Sequence, residues 1–158
     1  MAIIERASGR LALMLRTRSV AIVGMSANPS RASHFVATYL AGKTDWRVYY
    51  VNPGEREILG QPVYPSLGDL PEIPDLVDVF RRRDDLVDVV DDVISIGAPA
   101  VWLQLGLVHD EAAATAAAAG LDVVQDRCLK IEHARFAGGL HTAGFVTGVL
   151  DSRRTQLI

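Results

Sequence analysis

The sequence predicts an α/β fold, Rossmann-like and doubly wound: a mainly parallel sheet of five or more strands with helices on both faces. Three observations carry this. Short β-branched runs alternate with longer helical stretches through the middle of the chain. The central runs are apolar nearly throughout, as strands covered on both sides must be. Turn residues such as Asn52-Pro53-Gly54 close the joints.

Taken in order, residues 1–18 read as an amphipathic helix packed on the domain edge, with Ile3, Ile4, Ala7, Leu11, Met14 and Leu15 near one face. Glu5 and the lack of a small-residue cleavage site argue against a targeting peptide. Strands are expected at Val20–Gly24, Arg47–Val51, Leu76–Phe80, Ala100–Leu103 and Leu121–Gln125, and helices at Ser33–Ala41, Asp85–Ile96 and Asp110–Ala119. The Gly- and Pro-punctuated connection from Glu55 to Pro74 has room for a short strand at Pro62–Tyr64 and a turn of helix near Ser66–Leu70. The acids Asp84, Asp85, Asp88, Asp91 and Asp92 read as the solvated face of a helix rather than a metal site. Residues 137–158 are too apolar for a disordered tail. They are expected to pack as a C-terminal extension, with Thr147–Ser152 as an edge strand or a homodimer contact.

At 158 residues, 49% apolar and 22% charged, the chain suits one folded domain, 1–158. A net charge of -3, with no basic run longer than Arg81–Arg83, argues against a nucleic-acid footprint. No stretch approaches the ~20 apolar residues that span a bilayer. A single cysteine, Cys128, excludes an internal disulfide and suits a cytoplasmic setting; it reads as a small buried residue. His34, His109, His133 and His141 are scattered without a paired acid or ligand spacing, so no catalytic residue and no metal ligand is assigned.

The segment "SVAIVGMSANPSR", Ser19–Arg31, has the form of a strand, a turn and the start of a helix. In open α/β sheets such turns hold ligands, and a helix N-terminus attracts anions. Gly24 would let backbone approach a phosphate, Ser26 and Ser33 offer hydroxyls, and Arg31 offers a forked cation. A nicotinamide dinucleotide makes two demands that fail here. The G-x-G-x-x-G pattern is absent, and the second strand ends in Val51-Asn52-Pro53 where an acid should hold the ribose.

Further pieces follow in order: "VNP" at 51–53, "EILGQPVYPSLGDLP", "DLVDVFR" at 75–81, "VWLQLGLVHDEA" at 101–112 and "GLDVVQDRC" at 120–128. Together with the first turn, this set resembles the small single-domain CoA-binding proteins. These are similar to the N-terminal CoA-binding domain of the succinyl-CoA ligase alpha subunit. The resemblance covers about Ser19 to Ile131. It implies CoA or acyl-CoA held at the carboxyl edge of the sheet. Gly24, Met25 and Ser26 would line the pyrophosphate or ribose, and Arg31 and Ser33 would meet phosphate oxygens. Val51, Asn52 and Pro53 would border the adenine, and Phe80, Arg81, Gln104 and Gly106 the pantetheine path. Two departures stand out: Met25 replaces a usual alanine and could narrow the turn, and Thr44-Asp45-Trp46 lengthens the entry to the second strand.

The ligase's phosphorylated histidine and nucleotide-binding domain lie outside the matching region. The expected function is therefore non-catalytic binding of CoA or acyl-CoA. The alternatives are a small NAD(P)-linked oxidoreductase or a CoA-sensing regulatory subunit.

Overall fold

The computed structural model describes residues 2–143. Seven strands form one sheet: β1 (Ser19–Val23), β2 (Arg47–Val51), β3 (Glu57–Ile58), β4 (Gln61–Tyr64), β5 (Leu76–Val79), β6 (Ala100–Leu103) and β7 (Asp122–Val124). Their order is β3-β4-β2-β1-β5-β6-β7. Every pair is parallel except β3 and β4. Five helices cover the sheet: α1 (Ala7–Arg16), α2 (Ala32–Lys43), α3 (Leu86–Ile96), α4 (Asp110–Ala118) and α5 (Leu129–Ala143).

The alternation of side chains along each strand divides the core in two. Ala21, Val23, Val77, Val79, Val101 and Leu103 face α3 and α4. Val20, Ile22, Leu76, Ala100 and Trp102 face α1, α2 and α5. The fold is the doubly wound α/β sheet that the alternating pattern predicts. The chain moves outward from β1 to β2 on one side and returns to β5 on the other, so the strand order reverses between β1 and β5. The carboxyl ends of those two strands are the place where such sheets open a crevice.

The first residues differ from the expected helix over 1–18. The helix begins only at Ala7, and Ile3 forms a parallel bridge to Val123. The Val123 N–H donates to the Ala2 carbonyl at 2.9 Å, and the Ile4 N–H donates to the Val123 carbonyl at 2.7 Å. The apolar pair Ile3-Ile4, read as a helix face, instead covers the edge of β7, which would otherwise offer unpaired backbone groups. The inward face of α1 is Arg10, Leu13 and Met14, and Leu15 is 52% exposed. Arg10 can be buried because its Nε donates to Glu132 Oε1 at 2.6 Å and its Nη1 to the Glu5 carbonyl at 2.8 Å.

The expected strand at Pro62–Tyr64 is the second half of a hairpin. β3 and β4 pair Glu57 with Pro62 and Ile58 with Gln61. Leu59 at φ 53° and Gly60 at φ 75° make the two-residue turn between them. Two left-handed residues in succession are the hairpin turn whose twist matches the strands. The acidic run behaves as read: Asp84, Asp88, Asp91 and Asp92 are exposed while Leu86, Val89, Val90 and Val93 are buried.

One buried acid was not singled out from the sequence. Asp78 lies in the middle of β5, paired in register with Ile22 and Trp102, and has no solvent exposure. Neither carboxyl oxygen has a hydrogen-bond partner, and burial pushes its pKa well above the usual carboxylate range. Residues 137–143 complete α5. The expected edge strand or dimer contact at Thr147–Ser152 lies outside the described residues.

Candidate functional site

The turn after β1 is anchored from both sides. The Gly24 and Met25 N–H groups donate to the Val51 carbonyl at 3.0 and 3.3 Å. Asn52 Nδ2 donates to the Met25 carbonyl at 2.7 Å, and Asn52 Oδ1 accepts from the Gly54 N–H at 2.8 Å. The exits of β1 and β2 are thus tied together. Gly24 has φ +84°, and a Cβ there would stand 2.1 Å from the Phe80 carbonyl oxygen. Glycine is required by the close approach of the β5 exit, whatever the turn binds.

Beyond Gly24 the chain builds a small polar loop. The Ser26 N–H donates to Ser33 Oγ at 3.0 Å, and the Asn28 N–H donates to Ser26 Oγ at 3.0 Å. Asn28 Oδ1 in turn accepts from the Ser30 N–H at 2.9 Å. Ser26 and Ser33 each use a lone pair on the backbone and keep the hydroxyl proton to donate. Arg31 is the N-cap of α2, makes no side-chain cap, and no acid lies in the first turn of that helix. Arg31 is exposed and, among the described residues, has no carboxylate within ion-pair distance. The positive end of the helix dipole and a free guanidinium therefore share one corner.

These groups line a cleft of about 420 Å³ at the strand-order reversal. Gly24, Ser26, Arg31 and Ser33 form one wall, Phe80 and Arg81 the middle, and Gln104 the far side. Among the described residues, its only charged lining residues are Arg31 and Arg81. Two other clefts, each of about 380 Å³, carry acids: Asp45 in one, and Glu5, Asp110 and Asp126 in the other. Arg81 is 39% exposed along its side chain and reaches Asp85 Oδ2 at 3.3 Å, a surface pair with little hold on it. Gln104 is 5% exposed, and its Oε1 accepts from the Leu129 N–H at 3.1 Å, which fixes the start of α5 against the end of β6.

Five of the residues singled out from the sequence do not line this cleft. Met25 is fully buried among the apolar residues beneath α2, so its side chain fills the core and does not narrow the turn. Val51 is buried and its carbonyl is taken by the turn, while both ends of the Asn52 amide are engaged. Pro53 is exposed beyond the β2 exit. Gly106 is exposed, its N–H donating to Asp126 Oδ1 at 2.8 Å. Three residues not singled out do line it: Ala32, Leu105 and Leu107. The two leucines had a signal, an apolar "LGL" directly after a strand end.

The comparisons bear on the fold and the family. The uncharacterized protein YneT of Bacillus subtilis (strain 168) is 34% identical over 122 residues, 77% of this chain and 90% of that protein. A hypothetical protein from Pyrococcus horikoshii OT3 superposes with a TM-score of 0.77 at 34% identity, covering 85% of this chain and 96% of that one. A Thermus thermophilus structure, cell-free ID.343, gives a TM-score of 0.76 at 37% identity, covering 83% and 98%. Residues 18–134 match the family described as CoA binding domain, and on that match the chain belongs to this CoA-binding domain family.

Proposed function

We propose that this chain binds CoA or an acyl-CoA at the carboxyl edge of its sheet, as a binding module without catalytic chemistry of its own. The observation that supports it most is the cleft at the strand-order reversal. Among the described residues it is lined by two arginines and no acid, and the Arg31 guanidinium, beside a helix N-terminus with no side-chain cap, has no carboxylate partner. Such a corner suits a phosphate-rich ligand, and the family supplies the ligand's class.

The nicotinamide alternative is disfavoured on geometry. The position that would hold ribose carries Asn52, whose amide is already engaged at both ends. The non-catalytic part rests on the lining. No His, Cys, Asp or Glu is among the described lining residues, and both serine oxygens accept backbone N–H groups rather than facing a base. A reducing, cytoplasmic setting suits the lone half-buried Cys128.

The test is a thermal-shift series on protein stripped of ligand, with CoA, dephospho-CoA, acetyl-CoA, NAD and NADP at equal concentration. CoA at about 100 times its Kd stabilises by ~2.7 kcal/mol, a shift of several degrees. Arg31→Ala should weaken CoA binding by about 1.5–3 kcal/mol, the range for a charge-assisted bond. A shift by NAD or NADP alone overturns the reading.

A further inference from the structure

A separate cleft, of about 380 Å³, lies at the amino edge of the sheet, beside the entries to β1 and β2. Its walls are apolar: Leu11, Met14 and Leu15 from α1, Trp46 just before β2, and Phe136 from α5. These walls are fixed in place. The Trp46 N–H donates to Thr44 Oγ1 at 3.2 Å, and the Trp46 ring meets the His133 ring edge-on at 5.3 Å. The Tyr39 hydroxyl and His133 Nδ1 share a hydrogen bond of 2.9 Å. Leu15 is nonetheless 52% exposed.

The chain itself leads to this cleft. α5 starts at the carboxyl edge, where Gln104 Oε1 accepts from the Leu129 N–H, and two turns later its Phe136 lines the cleft. Residues 137–143 carry the helix on by about 10 Å. Residues 144–158 follow, with the sequence "GFVTGVLDSRRTQLI". Gly144 stands directly after the helix, where glycine lets a chain turn back. Phe145, Val146, Val149 and Leu150 recur at the spacing of one helix face. Fifteen residues reach up to about 50 Å when extended, ample for a return to Phe136. The rim of the cleft carries Arg18, Lys43 and Asp45, and the segment brings Asp151 with Arg153 and Arg154, so each sign can meet its opposite. Both α1 and this segment lie outside residues 18–134, so the family match does not account for the corner where they come together.

We propose that the cleft between α1, α5 and the entry to β2 is the docking site of this chain's own residues 144–158, with Phe145, Val146, Val149 and Leu150 against Leu15 and Trp46. The commitment to this occupant follows from continuity. The helix that forms one wall of the cleft is the one from which the segment continues, so docking is intramolecular and needs no second molecule to be brought in. Covering Leu15 and the Trp46 ring removes apolar surface from water on both sides of the contact. The docked segment lies at the edge opposite the ligand corner and leaves that corner open.

Disulfide trapping on the full-length protein tests this, in a Cys128→Ser background that carries Leu15→Cys and, in turn, Phe145→Cys, Val146→Cys, Val149→Cys or Leu150→Cys. Mild oxidation should link at least one of these pairs at monomer mass. The same segment positions paired with Leu105→Cys, exposed at the other edge, should stay unlinked. No link to Leu15→Cys overturns the inference, as does linking of equal yield at Leu105→Cys, which marks a segment with no fixed place. A link found only at dimer mass also overturns it, since a second copy's segment then fills the cleft. Thermal melts show whether each variant is folded; if Cys128→Ser is not, Cys128 is kept and peptide mapping identifies the linked pair. Failure here leaves the CoA reading standing, because the two clefts share no lining residue among the described residues.

Discussion

The two edges of the sheet treat charge in opposite ways. At the amino edge polar groups are matched with one another. Arg47 donates from Nε and Nη2 to Glu72 at 2.6 and 2.8 Å, Tyr49 donates its hydroxyl to the same carboxylate, and Asp75 Oδ2 accepts from the Arg18 and Ser19 N–H groups at 2.8 and 3.2 Å. At the carboxyl edge Arg31 is unpaired among the described residues and the hydroxyls of Ser26 and Ser33 keep a proton to donate. Both edges carry exposed arginines, so composition alone does not separate them. What separates them is whether the fold supplies the partner or leaves it to a ligand.

The comparison breaks most severely at Gly24. Gly24→Ala puts a Cβ into the Phe80 carbonyl at a φ of +84°. Its expected cost is about 3 kcal/mol or more of unfolding free energy, read from urea midpoints, with loss of the CoA-induced thermal shift. Equal stability and an intact shift would show that the turn can open without glycine.

A second test lies between the edges. Asp78 is buried without partners, and its pKa is raised by burial above the ordinary 3.8. The native state therefore holds the proton more tightly than the unfolded chain. Its contribution is full below the unfolded pKa and falls as pH rises from there towards the raised native value. Asp78→Val should raise stability at neutral pH by about 1–3 kcal/mol, with the gain over wild type shrinking as pH is lowered towards 4. A variant less stable than wild type at pH 7 would mean that the carboxyl has a partner in solution.

The smallest effect belongs to the amino edge. Hydrogen bonds from Arg47 and Tyr49 hold the Glu72 pKa down at about 2. Its contribution is present above the ordinary 4.5 and is lost as pH falls towards 2. Glu72→Gln should cost less than about 1 kcal/mol at pH 7, flatten the acid limb of the stability profile, and leave the CoA-induced shift as in wild type. A changed CoA shift would contradict the separation of the two edges.

Legibility followed local chemistry. The strands and α2, α3 and α4 were readable because apolar runs and turn residues bound them, and β2 and β6 have the bounds expected from the sequence. The β3–β4 hairpin was half hidden because leucine, not asparagine, takes the first left-handed turn position. The N-terminal segment misled because Ile3-Ile4 fits a helix face as well as a strand, and only the open edge of β7 decides between them. In the cleft, Gly24, Ser26, Arg31 and Ser33 are legible locally, from a strand end and a helix start, whereas Phe80, Arg81 and Gln104 follow from the resemblance to the CoA-binding proteins. Asn52 was placed on the ligand's border, whereas its amide is engaged within the fold; that needs the distance between two turns, which no single stretch of sequence contains.

The Asn52 amide has a consequence for how a ligand arrives. By joining the Met25 carbonyl to the turn after β2, it fixes the crotch between the first two strands before anything enters. A site set in advance loses little backbone freedom on capture, so more of the contact energy appears as affinity. Arrival should then resemble rigid docking, with a rate set by encounter and orientation, and differences between related ligands should show mainly in how slowly they leave.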